Sequence, residues 1–420
     1  MRLLCKGRNF CNTLFLCLLS LSTALSCQSR ASREAAGPPP SSEAHFETGT
    51  SARNVPFRIV DNNMYLTIEV NDSVEVEVAF DSGFPSNGVL IIDPAIGERL
   101  GLQYVGQAPL GGAGDESSVA DVAQGATITL PGVSFENQLI LVARNAQRYE
   151  KWLARGIIGG TILNSCVAEI DHEKSVLNLY KSDSFEASAS GEAFDVVFSQ
   201  GIPVIKATLE QKGKAPVQVK LLVDTGADLP FSLHSNHGLE LLPPQNAPKS
   251  YISEGIKGEV RGQWSRIDAI HLGSFKMENC LVAYPTEGFD DVVAALGQNG
   301  FLGLAAQRRF TVTFDYLHSR MYLKPNASFG IPFEFNMAGL VLRTLRDGSM
   351  EVADVLTGSP GSAAGIRKSD RIVAIDGRNT SSIFSEDMER IFTRENQSLI
   401  MSIERDGRTI DVKLILKRMI

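Results

Sequence analysis

Cysteine is nearly absent from the body of this 420-residue chain: four of its six cysteines, Cys5, Cys11, Cys17 and Cys27, crowd the first 27 positions, and only Cys166 and Cys280 follow. Two distant cysteines exclude a stapled disulfide scaffold and a Cys-x-x-Cys metal site, and they read as small buried apolar groups. Positive charge is short too. Against 40 Lys and Arg stand 48 Asp and Glu, a formal charge of -8 with a pI near 5.4, so the electrostatic footprint of a nucleic-acid binder is missing and no nucleic-acid partner is expected. The phosphate and nucleophile signatures are also missing. Gly111–Gly114 lacks the Lys-Ser/Thr of a P-loop and opens no helix, and no G-x-S-x-G occurs. His234-Ser-Asn-His237 has a metal-compatible spacing but no nearby Cys or acidic cluster, and reads as a loop. No metal and no cofactor is implied. What is present is ordinary for a folded, turn-rich chain: 43% hydrophobic, 21% charged, 37 Gly and 18 Pro. The length suits two to four domains.

The N-terminus reads as an export signal. Lys6 and Arg8 form a positive n-region, and Leu14–Leu21 (LFLCLLSL) is an apolar centre too short to span a membrane. It ends in Thr23-Ala24-Leu25-Ser26-Cys27, which resembles a bacterial lipobox with Cys27 as the lipid-attachment site; the alternative is a plain secretory peptide cut after Ser26. Residues 1–27 are thus assigned to the signal, and 28–54, with PPPSS and few large apolar groups, to a flexible linker. The expected location is the bacterial cell envelope, as a membrane-anchored lipoprotein or a periplasmic or secreted protein.

An internal repeat organises the next 270 or so residues. Met64–Val70 and Val74–Phe80 alternate at period two and lead into Asp81-Ser82-Gly83; Ile202–Leu209 and Val217–Val223 do the same before Asp224-Thr225-Gly226. Downstream, Gly156-Ile-Ile-Gly159 is echoed by Gly300-Phe-Leu-Gly303, and Glu169-Ile-Asp171 by Thr313-Phe-Asp315. The offsets agree (224 − 81 = 143, 303 − 159 = 144, 315 − 171 = 144). Two copies of one β unit keep such register, whereas unrelated strands do not. The copies are bounded at 55–182 and 195–325.

A lone D-[S/T]-G arises by chance in about one chain of this length in five. Here both copies end an apolar strand at equivalent places in a repeat. If the copies pack about a pseudo-twofold axis, Asp81 and Asp224 meet near it. Two carboxylates roughly 3 Å apart cannot both ionise, so they hold one proton between them and act as acid and base on a water lying between. Gly83 and Gly226 allow the close approach, and the Ser82 and Thr225 hydroxyls can brace one loop against the other.

These residues, with Ile157-Ile158-Gly159 and Phe301-Leu302-Gly303, make residues 55–325 resemble a retropepsin-like aspartic protease fused in tandem, as in pepsin-like enzymes. The resemblance implies a mainly β, bilobal pepsin-like barrel fold, Asp81 and Asp224 as the catalytic dyad, a peptide or protein substrate, and glycine-bearing flap hairpins. The flap candidates are Gly112 and Gly114 in lobe one and Gly255 and Gly258 in lobe two. The chain departs from the family in placing Phe84-Pro85 and Ala227-Asp228 after the two loops and in lacking a flap tyrosine. With Ala227 unable to donate a hydroxyl, activity is expected to extend towards neutral pH.

Beyond about Phe333 a new pattern begins. Gly339-Leu-Val-Leu342, Ser359-Pro-Gly-Ser-Ala-Ala-Gly-Ile366 and Asp370-Arg-Ile-Val-Ala-Ile-Asp-Gly377 resemble a PDZ domain of the bacterial protease type, assigned to 333–420. That resemblance implies a groove that takes a peptide as an added strand, with Gly339, Leu340 and Val341 near its terminal carboxylate. The expected function is an aspartic endopeptidase with a peptide-binding PDZ module. The alternatives are a non-catalytic peptide-binding lipoprotein and a PDZ-driven scaffold.

Overall fold

A computed structural model describes residues 43–236, 238–289, 297–383 and 385–420. The period-two segments become strands whose apolar residues face inward: along Val74–Phe80 every second side chain is buried. The strand is joined to Asn63–Val70 by the three-residue turn Asn71-Asp72-Ser73, in which Asn71 and Asp72 both take positive φ and the Ser73 N–H donates to the Val70 carbonyl at 3.3 Å.

Each repeat copy closes into a ring of strands, and the two rings match element for element. In the first, Asn63–Val70, Val119–Leu130, Val133–Ala143, Gly88–Ile91, Gly156–Ile158 and Val74–Phe80 pair in a circle. In the second the circle is Ile202–Glu210, Gly258–Leu272, Phe275–Glu287, Phe231–Leu233, Gly300–Gly303 and Val217–Asp224. Both rings place the strand leading into an Asp loop parallel to the aliphatic-Gly strand, Phe80 beside Ile158 and Val223 beside Leu302. The protein is mainly β and bilobal.

A six-stranded antiparallel sheet joins the lobes. At its centre Val167–Asp171 pairs with Phe310–Asp315, with Ala168 opposite Phe314, Glu169 opposite Thr313 and Ile170 opposite Val312. Glu169 and Thr313 are also repeat equivalents (313 − 169 = 144), so the pseudo-twofold axis runs through this pair. Apolar residues on both sides of the axis belong to one continuous core, including Phe80, Ile170, Val223, Phe231 and Phe314; each side chain of this size, fully buried, contributes roughly 1.5–3 kcal/mol.

The assignment of 28–54 to a flexible linker is corrected in part. Ala44–Phe46 pairs with the first three residues of Val133–Ala143, and Ser51–Pro56 forms the edge of the central sheet against Val176–Tyr180. The reason is a short apolar alternation: Ala52 and Val55 are 4% and 1% exposed and join the shared core. The folded body therefore starts ahead of residue 55.

The C-terminal module has its own sheet, in which Leu340–Thr344 is an edge strand beside Met350–Val355, and its own core built on Leu340, Val352, Ile372, Met401 and Ile403. Ser359 caps the helix Pro360–Ala363 by accepting the Ser362 N–H at 3.1 Å. Gly339 has φ +68°, and a Cβ there would overlap the Ser359 side chain, so only glycine serves.

Candidate active site and peptide groove

The two Asp loops meet at the pseudo-twofold axis. The Ser82 N–H donates to Thr225 Oγ1 at 2.8 Å and the Thr225 N–H donates to Ser82 Oγ at 3.0 Å. Each hydroxyl then donates across the axis, Ser82 Oγ to the Val223 carbonyl at 2.8 Å and Thr225 Oγ1 to the Phe80 carbonyl at 3.0 Å. Ser82 and Thr225 are 1% and 0% exposed, so these four bonds form away from water and satisfy every polar group they involve.

This brace sets the carboxyl groups face to face. The Gly83 N–H donates to Asp81 Oδ1 at 2.7 Å and the Gly226 N–H donates to Asp224 Oδ1 at 2.8 Å, and each carboxyl lies against the other loop's glycine. The glycines are sterically required. A Cβ on Gly226 would lie 2.6 and 2.7 Å from the two Asp81 carboxyl oxygens, and one on Gly83 would lie 3.0 Å from Asp224 Oδ1. Beneath the loops, Gly159 has no room for a Cβ against the Asp81 carbonyl, nor Gly303 against the Leu229 carbonyl.

Burial first, and then the charge of Asp224, push the Asp81 carboxyl well above the usual carboxylate range. Burial also raises Asp224, while the hydrogen bond from Asp81 and the N–H groups of Gly226 and Ala227 act in the opposite sense. The two carboxyls therefore titrate as one unit and retain one proton between them.

Two residues that the motif reading did not assign stand close by. Asp228 leaves its Oδ1 buried without a partner, and burial, followed by the charge of Asp61, pushes its carboxyl up to about 7. Tyr316, packed edge-on against Phe198 and Phe314, buries its hydroxyl within electrostatic reach of both Asp81 and Asp224. A signal for Tyr316 existed in the repeat, since it follows Asp315 as His172 follows Asp171.

The four glycines expected in flaps, Gly112, Gly114, Gly255 and Gly258, lie where a loop of lobe one meets a hairpin of lobe two. The Lys257 N–H donates to the Ala113 carbonyl at 2.8 Å, the Glu116 N–H to the Lys257 carbonyl at 3.0 Å, and the Gly114 N–H to the Gly288 carbonyl at 2.7 Å. Gly112, Gly114 and Gly258 have φ of 128°, 104° and 121°, and a Cβ on Gly255 would lie 2.5 Å from the Ala113 carbonyl oxygen. The hairpin tip Ile256 packs against the same apolar cluster as Phe84, and its carbonyl accepts from Tyr149 Oη at 3.0 Å.

In the C-terminal groove the three expected N–H groups part ways. The Gly339 N–H donates to the Asn336 carbonyl at 2.8 Å. Along Leu340–Thr344 the ladder alternates: the Leu345 N–H bonds Ser349 at 2.8 Å, so Val341 and Arg343 face the neighbouring strand while Leu340, Leu342 and Thr344 face the open edge. Of the three, only Leu340 presents its N–H outward. Cys27 lies outside the described residues. Cys166 and Cys280 are free and buried, their thiols pushed up to about 12 by desolvation.

Compared with known proteins, residues 330–404 match the PDZ domain family, so the C-terminal module is a PDZ domain, a class that binds peptides. No curated protein matches the chain. Among solved structures, the aspartic proteinase from Irpex lacteus is similar at 12% identity and a TM-score of 0.39, over 67% of this chain and 98% of that one.

Proposed function

We propose that the chain is an aspartic endopeptidase in which Asp81 and Asp224 activate a water for attack on a peptide carbonyl, with a PDZ domain that binds peptide or protein segments. The observation that carries the reading is the buried, closely apposed pair Asp81–Asp224, each carboxyl held by the N–H of its own loop's glycine and lying against the glycine of the other loop. Two buried carboxyl groups turned towards each other are unfavourable for mere binding, since burial strips water from each charge and the two charges repel.

In this mechanism ionised Asp224 takes a proton from the water as its oxygen bonds to the carbonyl carbon, while Asp81 gives its proton to the carbonyl oxygen. The tetrahedral diol then collapses: the C–N bond breaks, the amide nitrogen receives the proton held by Asp224, and the proton on the diol oxygen returns to Asp81. The Gly83 and Gly226 N–H groups hold the carboxyl planes through both steps, and the Ser82–Thr225 brace prevents the loops from parting.

The test is to incubate residues 28–420 with a mixed peptide library, beside Asp81→Asn and Asp224→Asn, and read new termini by mass spectrometry. Cleavage by the parent alone supports the reading; cleavage surviving in either variant overturns it. The proposal includes export through residues 1–27. Its check is the mass of the mature N-terminus in a bacterial host, a diacylated or triacylated Cys27 against an unmodified one.

A further inference from the structure

The open edge of the PDZ strand Leu340–Thr344 is where an added peptide strand would bond. In this chain part of that edge is already taken. The Thr344 N–H, one of the outward-facing donors, bonds Asp61 Oδ2 at 2.6 Å, and Thr344 Oγ1 bonds Asp61 Oδ1 at 3.0 Å. Asp61 and Asn62 form the positive-φ turn between Arg58–Val60 and Asn63–Val70 of lobe one. The opposite wall of the groove is near as well. Glu389, on the helix Ser385–Ile391, lies within electrostatic reach of Asp61 and pairs with Arg308, which also bonds Asn62 Oδ1.

The same face of the PDZ domain grips the parts that close the lobes together. Asp354 accepts the Tyr251 N–H at 2.9 Å and the Arg261 guanidinium at 2.8 Å, so it holds both strands of the lobe-two hairpin. Arg343 pairs with Glu254 on that hairpin. Arg346 donates to the Trp152 carbonyl at 2.7 Å and the Tyr149 carbonyl at 3.2 Å, and Glu351 pairs with Lys151 at 2.8 Å. Tyr149 in turn bonds Ile256 at the hairpin tip.

We propose that the PDZ edge strand is an intramolecular seat for the Asp61–Asn62 turn, and that an extended peptide presenting a carboxylate level with Thr344 displaces this turn and loosens the hairpin that meets the loop of lobe one. The partner is an acidic peptide because the seat is built for a carboxylate: one N–H and one hydroxyl converge on the two oxygens of Asp61. That carboxylate comes either from a peptide C-terminus or from an Asp or Glu side chain. The consequence for turnover rests on the protease reading, but the displacement itself does not.

The experiment uses the full mature chain carrying Asp81→Asn, so that no probe is consumed. Two fluorescein-labelled octapeptide pools are titrated by anisotropy, one with a free C-terminus and no internal acid, the other amidated with an internal Asp. Hydrogen exchange is followed at the Tyr251 and Lys257 amides. Asp61→Gly keeps the turn conformation while removing the competing carboxylate; Thr344→Val removes only the hydroxyl, and the exchange read on the parent guards against a folding failure in the first variant. One pool is expected to bind Asp61→Gly about tenfold more tightly than the parent, because an occupied groove reduces apparent affinity by the free fraction. Saturating peptide is expected to speed exchange at both amides in the parent, and Thr344→Val, added to Asp61→Gly so that no competing carboxylate remains, to weaken binding of that pool. Equal affinity for parent and Asp61→Gly, binding by neither pool, or exchange indifferent to bound peptide overturns the proposal.

Discussion

Two joints hold this molecule together, and they are built from opposite materials. The lobes share one apolar core and a continuous sheet, and at the Asp loops the Ser82 and Thr225 hydroxyls and N–H groups are paired across the axis and shielded from water. The PDZ domain keeps its own core and is held to the lobes largely by side-chain carboxylates and guanidiniums at partly buried positions, apart from an aromatic root where Phe333 packs on Phe231 and Phe335 on Trp264. The first joint suits a site whose geometry must not drift. The second suits a contact that is made and broken, because ion pairs at the margin of a surface stabilise less than a shared apolar core and weaken with salt.

Breaking the joint between the lobes at its chemical centre has the largest effect. Asp81→Asn or Asp224→Asn is expected to lower peptide cleavage by at least about a thousandfold, read from initial rates, with the melting temperature unchanged or raised because a buried carboxyl has been neutralised.

Asp228 sharpens the comparison through pH. Its carboxyl is raised from 3.8 to about 7 in the folded chain, so the neutral form is favoured by folding. That contribution is complete below about pH 4 and is lost as pH rises through about 7. The stability of the parent relative to Asp228→Asn should therefore fall across this window, by at most about 4 kcal/mol, and level off above it. Urea midpoints at pH 4, 5.5, 7 and 8 check this; a constant gap contradicts it.

The brace comes next. Thr225→Val strands the Ser82 N–H and the Phe80 carbonyl, and Ser82→Ala strands the Thr225 N–H and the Val223 carbonyl. Each should cost roughly 1–3 kcal/mol in urea unfolding, and the double variant less than the sum, since both act on one network. At the PDZ joint, Lys368→Ala removes an exposed pair with Glu259. The expected loss is under about 1 kcal/mol, with the urea midpoint almost unmoved.

Much of the lobe architecture was legible because strand alternation and the constant repeat offset are local or periodic signals. The meeting of Asp81 with Asp224 followed from symmetry rather than from either loop alone. The strand Ser51–Pro56 escaped notice because only Ala52 and Val55 carry its apolar pattern, within a stretch rich in polar residues. Asp228 read as a mere departure from a motif, since burial of a carboxyl depends on what packs over it. The contact between Asp61 and Thr344 spans 283 positions, and no pattern within either segment announces it. At Gly339 the fold took up an N–H that the motif left open, through the turn at Asn336.

The most direct measurement is a carbon-13 NMR titration of the aspartate carboxyls in the parent and in Asp224→Asn. The account predicts that the Asp81 signal remains that of a protonated acid well above the ordinary carboxylate range, and that removing the Asp224 charge moves its titration to lower pH. Two carboxyls titrating independently near pH 4 in the parent, with Asp81 indifferent to the substitution, would contradict it.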